Sequence, residues 1–239
     1  MRETPANLQS LHSLEASVRD ASLVAVSNDA ALADHVQAVH DALDHLTVLL
    51  LVPSTPGTRE HTLQLLAMRL FNVGACVLKL GLSGYYQVAW QLLRDSLEIV
   101  NLVDLFRIDP AALGKWQVAD DNTLKREFGP AKVRLALEAH PDFAGQRRDR
   151  IYESFSGFAA HASYKGFALL APGNTPKLGP FMDGKLLRAL LEDFGPHFSH
   201  AALGIGMLFE DVEIQIIEAK GAFLCKLRKY YAVHVRRTA

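Results

Sequence analysis

Apolar residues recur along this chain at three- and four-residue steps almost everywhere, which is the signature of α-helices burying one face. The stretch "DAALADHVQAVHDALDHLTVLLLVP" places Leu32, Val36, Val39, Leu43, Leu46 and Leu50 on one side, with Pro53 as its stop. After the turn "STPGTRE" a second long helix is expected over about 59–80 and a third over about 85–107, with Gly81 and Ser83-Gly84 between them and Ser83 as the N-cap. Shorter helices are expected around 110–118, 122–128 and 130–139, closed by His140-Pro141. A helix over about 145–163 precedes "KGFALLAPGNTPKLGPFMDG" (165–184), whose Pro-Gly-Asn centre predicts a loop or short hairpin. A final helical region runs from Lys185 to about Arg236, with a break or kink at Gly195-Pro196. The pattern predicts an all-α bundle of about six to eight helices in a single domain spanning 1–239. Helices within 1–52 are expected at its periphery, and 210–236 forms a basic C-terminal helix.

Composition adds limits. With 239 residues and 49% apolar side chains, the chain has ample material for a core. A formal net charge of −1 excludes a disordered polyelectrolyte. The charge is uneven, since no acid follows Glu218 while Lys220, Lys226, Arg228, Lys229, Arg236 and Arg237 do. With Tyr230 and Tyr231 among those cations, the C-terminus is a candidate RNA contact. Cys76 and Cys225 read as reduced thiols in apolar helical surroundings, and the N-terminus carries no apolar secretion signal. Apolar runs such as "LTVLLLV" are too short to span a bilayer, so the expectation is a soluble cytoplasmic protein with no membrane partner.

Candidate chemistry concentrates in two helices. Gln87, Gln91, Arg94, Glu98 and Asn101 form one polar stripe on the otherwise apolar helix at 85–107. The stripe either faces water through a narrow window, with Arg94 and Glu98 paired at i,i+4, or lines a cleft. In "RRDRIYESFSGFAAHAS", Arg150, Ser154, Gly157 and His161 share a face, and Gly157 with Ala159, Ala160 and Ala162 allows another backbone close by. His161 is either a core histidine or a titratable acid–base group. His35, His40 and His45 fan around their helix and make no metal face. His197 and His200 would need carboxylates such as Glu210 and Glu213 from elsewhere to hold an ion. No phosphate-binding glycine loop and no nucleophile elbow occurs, so neither a cofactor nor a metal is expected.

The succession "LLRDSLEIVNLVDLF" then "RRDRIYESFSGFAAHAS" resembles a group of bacterial helical proteins in which an Arg-x-x-x-Glu helix precedes a Tyr-x-x-(Leu/Phe)-Ser…His helix. These are distantly similar to the HEPN superfamily (higher eukaryotes and prokaryotes nucleotide-binding domain), and the resemblance covers about residues 85–165. It implies a small all-α fold, a homodimer, and RNA binding or metal-independent RNA cleavage in a stress or phage-defence role. It also implies Arg94, Glu98, Tyr152 and His161 as site residues. The HEPN nuclease signature, Arg followed four to six residues later by His, is absent at His161. That spacing does occur at Arg134–His140 and Arg228–His234, as often as chance supplies it. The alternative expectation is a helical interaction or dimerisation module without catalytic activity.

Overall fold

The computed structural model describes residues 6–143, 152, 153, 155, 157, 164–210 and 212–235. The fold is an all-α bundle, with no strand among the described residues. In chain order its α-helices are α1 (Ala6–Ser27), α2 (Ala30–Leu49), α3 (Arg59–Leu82), α4 (Tyr86–Ile108), α5 (Pro110–Gln117), α6 (Asp121–Glu127), α7 (Pro130–Glu138), α8 (Gly184–Leu208) and α9 (Ile214–His234).

The core lies among α2, α3, α4 and α8. The α2 stripe supplies Val39, Leu46 and Leu49, and α8 supplies Phe194, Phe198 and Ile205, all closed to solvent. Of the two N-terminal helices, α1 lies at the edge, burying only Val18, Ser22 and Val26, whereas α2 belongs to the core. Side chains that donate or accept at helix starts fix several boundaries. Asp29 accepts from the Ala31 and Leu32 amides, Asp120 from Thr123, and Asp183 from Lys185 and Leu186. Asp183→Ala is therefore expected to cost about 1 kcal/mol of stability, read as a lower urea midpoint with an unchanged m-value.

Three expectations are revised and one alternative is decided. Ser83 caps the end of α3, and Tyr85 occupies the N-cap of α4. Gly84 takes φ +83° between them, where a Cβ would run into the Phe181 backbone. Of the loop or short hairpin expected at 165–184, the structure has the loop, with short 3₁₀ turns over Lys165–Leu170 and Pro172–Asn174. Of the break or kink expected at Gly195-Pro196 there is no break: α8 continues helical through Pro196, and the chain leaves the helix instead between Leu208 and Ile214. Tertiary contacts hold that helix together. The Tyr231 hydroxyl donates to the Pro196 carbonyl at 3.0 Å, and Gly195 leaves room for the Tyr230 hydroxyl. Finally, Cys76 and Cys225 are exposed rather than set in apolar surroundings.

The same logic explains other glycines inside helices. Gly81 faces Leu190, Gly204 faces Val103 and Gly206 faces His45, each so close that a side chain would overlap its neighbour. Helix crossings without Cβ atoms let α8 approach α2, α3 and α4 closely.

Candidate functional site

The polar stripe of α4 sinks into the protein along its length. Gln91 is exposed, Arg94 and Glu98 each keep 28% side-chain exposure, and Asn101 is buried. Beside the window, α7 packs on α4 and Tyr152 lies over the Arg94–Glu98 turn.

Within that window Arg94 and Glu98 form an ion pair at 2.9 Å, one helical turn apart. The Tyr152 hydroxyl donates to Glu98 Oε1 at 3.0 Å and accepts a hydrogen bond from Arg94. Arg134, from α7, lays its guanidinium carbon 4.0 Å from the centre of the Tyr152 ring, and the Arg94 carbon lies 4.8 Å from the same centre. Two guanidinium groups thus contact one phenol whose hydroxyl is already oriented by a carboxylate. Cation–π contacts of this kind contribute about 0.5–2 kcal/mol each, more when shielded from water. The cluster of Arg94, Glu98, Tyr152 and Arg134 is a clasp that ties three parts of the chain together, with one net positive charge.

A second polar line runs between α4 and α8. The Trp90 indole donates to Asp193 Oδ2 at 3.0 Å. Burial pushes the Asp193 carboxyl above the usual carboxylate range, against the indole hydrogen bond that favours its ionised form. His197 Nδ1 lies 2.6 Å from the Asp193 carbonyl. A carbonyl only accepts, so Nδ1 carries the proton and Nε2 keeps the lone pair when the ring is neutral. Phe155 packs edge-on against His197, 5.8 Å between ring centres. Tyr152 and Phe155 therefore bind their segment to α4 and α8 respectively. Further along, the buried Asp104 receives Arg107 at 3.1 Å and lies 3.5 Å from His200 Nε2.

Of the residues expected to act together, Arg94, Glu98 and Tyr152 are joined by direct contacts. His161 lies outside the described residues, as do Arg150, Ser154 and Ser156. His197 turns to the Asp193 backbone carbonyl and His200 to the Asp104 carboxylate, and among the described residues no group of three or more His, Cys, Asp or Glu side chains that could hold a metal ion is found. The Trp90–Asp193 pair is not marked by local spacing, and the Arg134–His140 spacing does not point to the Tyr152 ring. Arg134 follows Val133 in a short amphipathic helix and becomes part of the site only through the fold of α7 on α4.

Comparison with protein-family models, with curated proteins and with solved structures gives no match. The site is thus read from its own geometry.

A groove of about 310 Å³ lies between α2 and α9, lined among others by Asp34, Ala38, Phe223, Leu227, Tyr230 and His234. His35 Nδ1 is 2.7 Å from the Tyr230 hydroxyl, and His234 Nε2 is 2.8 Å from Asp34 Oδ2. Burial, and secondarily the neighbouring His234, hold His35 below the ordinary histidine range. The Tyr230 hydroxyl is engaged by His35 and the Tyr231 hydroxyl donates to the Pro196 carbonyl.

Proposed function

We propose that this chain is a HEPN-like bacterial protein that binds RNA phosphate at the Arg94–Glu98–Tyr152–Arg134 clasp. In this reading it cleaves the bound strand without a metal, in the cytoplasm, in a stress or phage-defence role. The observation that supports the reading is the convergence of Arg94, Glu98 and Tyr152 in a half-open window, joined by a second guanidinium on the Tyr152 ring. Guanidinium groups suit phosphate because their paired N–H donors match two oxygens and remain charged at any physiological pH.

The chemistry proposed is transesterification. His161 Nε2 or Nδ1 takes the proton of a 2′-hydroxyl, the 2′-oxygen attacks the adjacent phosphorus, and the bond to the 5′-oxygen breaks. A 2′,3′-cyclic phosphate and a 5′-hydroxyl end result, the leaving oxygen taking a proton from the acid form of a histidine or from water. Arg94 stabilises the charge that grows on the phosphorane oxygens, Glu98 orients Arg94, and Tyr152 donates to substrate in place of Glu98.

Incubation with total RNA in EDTA tests this. Wild type is expected to release fragments with 5′-hydroxyl ends, and His161→Ala to lower the rate by about 10²–10⁴-fold. Arg94→Ala and Arg134→Ala are expected to weaken RNA retention on a filter. Equal cleavage by wild type and His161→Ala, or none by either, removes the ribonuclease reading. Retention untouched by both arginine variants removes the clasp as the RNA site.

A second reading, a helical interaction module with no catalytic activity, is favoured by the apolar surface that the bundle leaves open on α9. By length and composition α3 is the one helix among the described residues that is able to cross a membrane. Its Leu63, Ala67, Leu70 and Val77 are nevertheless closed off by the bundle, which supports the reading without a membrane.

A further inference from the structure

Between Tyr164 and the start of α8 the chain carries apolar side chains on two sides, and the bundle covers one. Leu169, Phe181 and Met182 pack against the core, and Gly166 is buried. Tyr164, Phe167, Leu170 and Leu178 are exposed, Tyr164 at 92% and Leu178 fully. Leu178 and Tyr164 are the two most exposed large apolar side chains among the described residues. Single exposed apolar residues are ordinary on a protein surface, whereas a group of them in one short segment marks a contact.

Local geometry gathers the group. Lys165–Leu170 is a 3₁₀ turn that Tyr164 enters with helical angles, φ −58° and ψ −34°. Three residues complete a 3₁₀ turn, so Tyr164, Phe167 and Leu170 lie one above another on a single face. The rings of Tyr164 and Phe167 meet edge-on with 6.4 Å between centres. The Lys177 amide donates to the Leu170 carbonyl at 2.8 Å, which sets Leu178 beside Leu170. The amides of Phe167, Ala171, Asn174 and Thr175 are also bonded within the loop, and Pro172, Pro176 and Pro180 have none to satisfy. Backbone donors satisfied in this way do not hold the tip in water.

Charge selects the occupant. From Tyr164 to Arg188 the sequence holds Lys165, Lys177, Lys185 and Arg188 against the single acid Asp183. Asp183 accepts from the Lys185 and Leu186 amides, and Arg188 pairs with Asp29 and Glu192. Lys177 and Lys185 are exposed, line one open cleft beside Phe181, and form no ion pair among the described residues. A protein partner would need a surface matched in shape to these protruding side chains. RNA would use the two rings but leave Leu170 and Leu178 in water. The fluid interface of a bilayer accepts protruding apolar groups of any shape, favours aromatic rings at headgroup depth, and attracts lysines where its lipids are anionic.

We propose that the 164–178 tip docks this protein on an anionic membrane surface. Tyr164, Phe167, Leu170 and Leu178 enter the headgroup layer, and Lys177 and Lys185 meet the acidic headgroups. The protein lies on the bilayer and no helix crosses it, in keeping with the closed-off side chains of α3. This docking is independent of whether the clasp binds RNA.

Sedimentation of the full chain with vesicles of phosphatidylcholine and phosphatidylglycerol is expected to carry the protein down. Vesicles of phosphatidylcholine alone are expected to bind it at least about tenfold more weakly. Phe167→Asp and Leu178→Asp are each expected to weaken binding to the mixed vesicles at least about tenfold, and Lys177→Glu combined with Lys185→Glu by a similar factor. Circular dichroism on each variant separates lost docking from lost folding. Entry into the bilayer is read in a Cys76→Ser, Cys225→Ser background: a polarity-sensitive dye on Leu178→Cys is expected to shift to the blue on the mixed vesicles, and the same dye on Val118→Cys to stay unchanged. The Tyr86 hydroxyl accepts from the Asp183 amide at 3.1 Å, which places the loop at the N-terminal end of α4, whereas Val118 follows α5 beyond the C-terminal end. Protein left in solution by the mixed vesicles overturns the proposal, as does equal binding to both kinds of vesicle. So does binding that Phe167→Asp and Leu178→Asp both leave unchanged, or a dye that shifts equally at the two positions. Phe167→Asp that lowers RNA retention on a filter while vesicle binding stays intact assigns the ring pair to nucleic acid and overturns it as well.

Discussion

Gly74→Ala is expected to destabilise the bundle by about 2 kcal/mol, although alanine is the better helix former. The glycine lies in the middle of α3, and a Cβ there would overlap the ring of Phe198 from α8. Phe198 is closed to solvent and packs on Phe194 with 5.1 Å between ring centres, so the ring has no free space to enter. Overpacking a filled core costs roughly 1–3 kcal/mol and sometimes more, and the gain in helix propensity returns at most about 1. For a domain of this size the net loss corresponds to a thermal midpoint lowered by about 5 °C. Phe198→Leu in the Gly74→Ala background is expected to cost less than in wild type, because the two side chains compete for one volume. A Gly74→Ala protein as stable as wild type would show that the α3–α8 contact is looser than the structure has it.

His45 is expected to give the fold an acid limb. Its ring is 3% exposed, stacks on Phe223 at 4.4 Å, and has no hydrogen-bond partner at either nitrogen among the described residues. Burial, reinforced by the neighbouring Lys220, lowers its pKa from 6.5 to about 4. The folded state therefore resists a proton that the unfolded chain accepts below pH 6.5. Between pH 6.5 and about 4 the unfolded state binds more protons, so stability falls as the pH falls; below about 4 this contribution levels off. Over that window the loss is about 3 kcal/mol, an order-of-magnitude figure taken from the size of the shift. His35, lowered for the same reason, adds in the same direction. Urea unfolding at pH 7 and pH 4.5 measures the difference, and His45→Leu is expected to shrink it. At pH 7 the same variant is expected to gain about 1 kcal/mol, since two unsatisfied buried nitrogens disappear. An equal pH dependence in wild type and His45→Leu would locate the acid sensitivity elsewhere.

His45 also illustrates how far the sequence could be read. The spacing of His35, His40 and His45 argues against a shared metal face, yet it says nothing about which of them meets another helix. Two, His35 and His45, are buried and touch α9 side chains, while His40 is exposed. In the site the i,i+4 spacing of Arg94 and Glu98 on one face of α4 was legible, because helical geometry alone brings them together. Tyr152 was reached through the resemblance to helical proteins of HEPN type. Arg134 was legible only in the Arg134–His140 spacing that chance supplies, since its approach to the Tyr152 ring depends on how α7 packs on α4.

The sequence by itself determined the helical class and most helix boundaries. Periodicity, N-cap side chains and prolines act over a few residues and are complete within the local chain. It also determined that one helix carries a confined polar stripe. Tertiary structure alone decided that α8 continues as a helix past Pro196, because partners on α2 and α9 hold that stretch together. It decided that Cys76 and Cys225 are exposed, and that Ile214 and Ile217 of α9 are left open to solvent. These outcomes depend on which surfaces meet across the bundle, and contact between distant segments leaves no periodic trace in a single sequence.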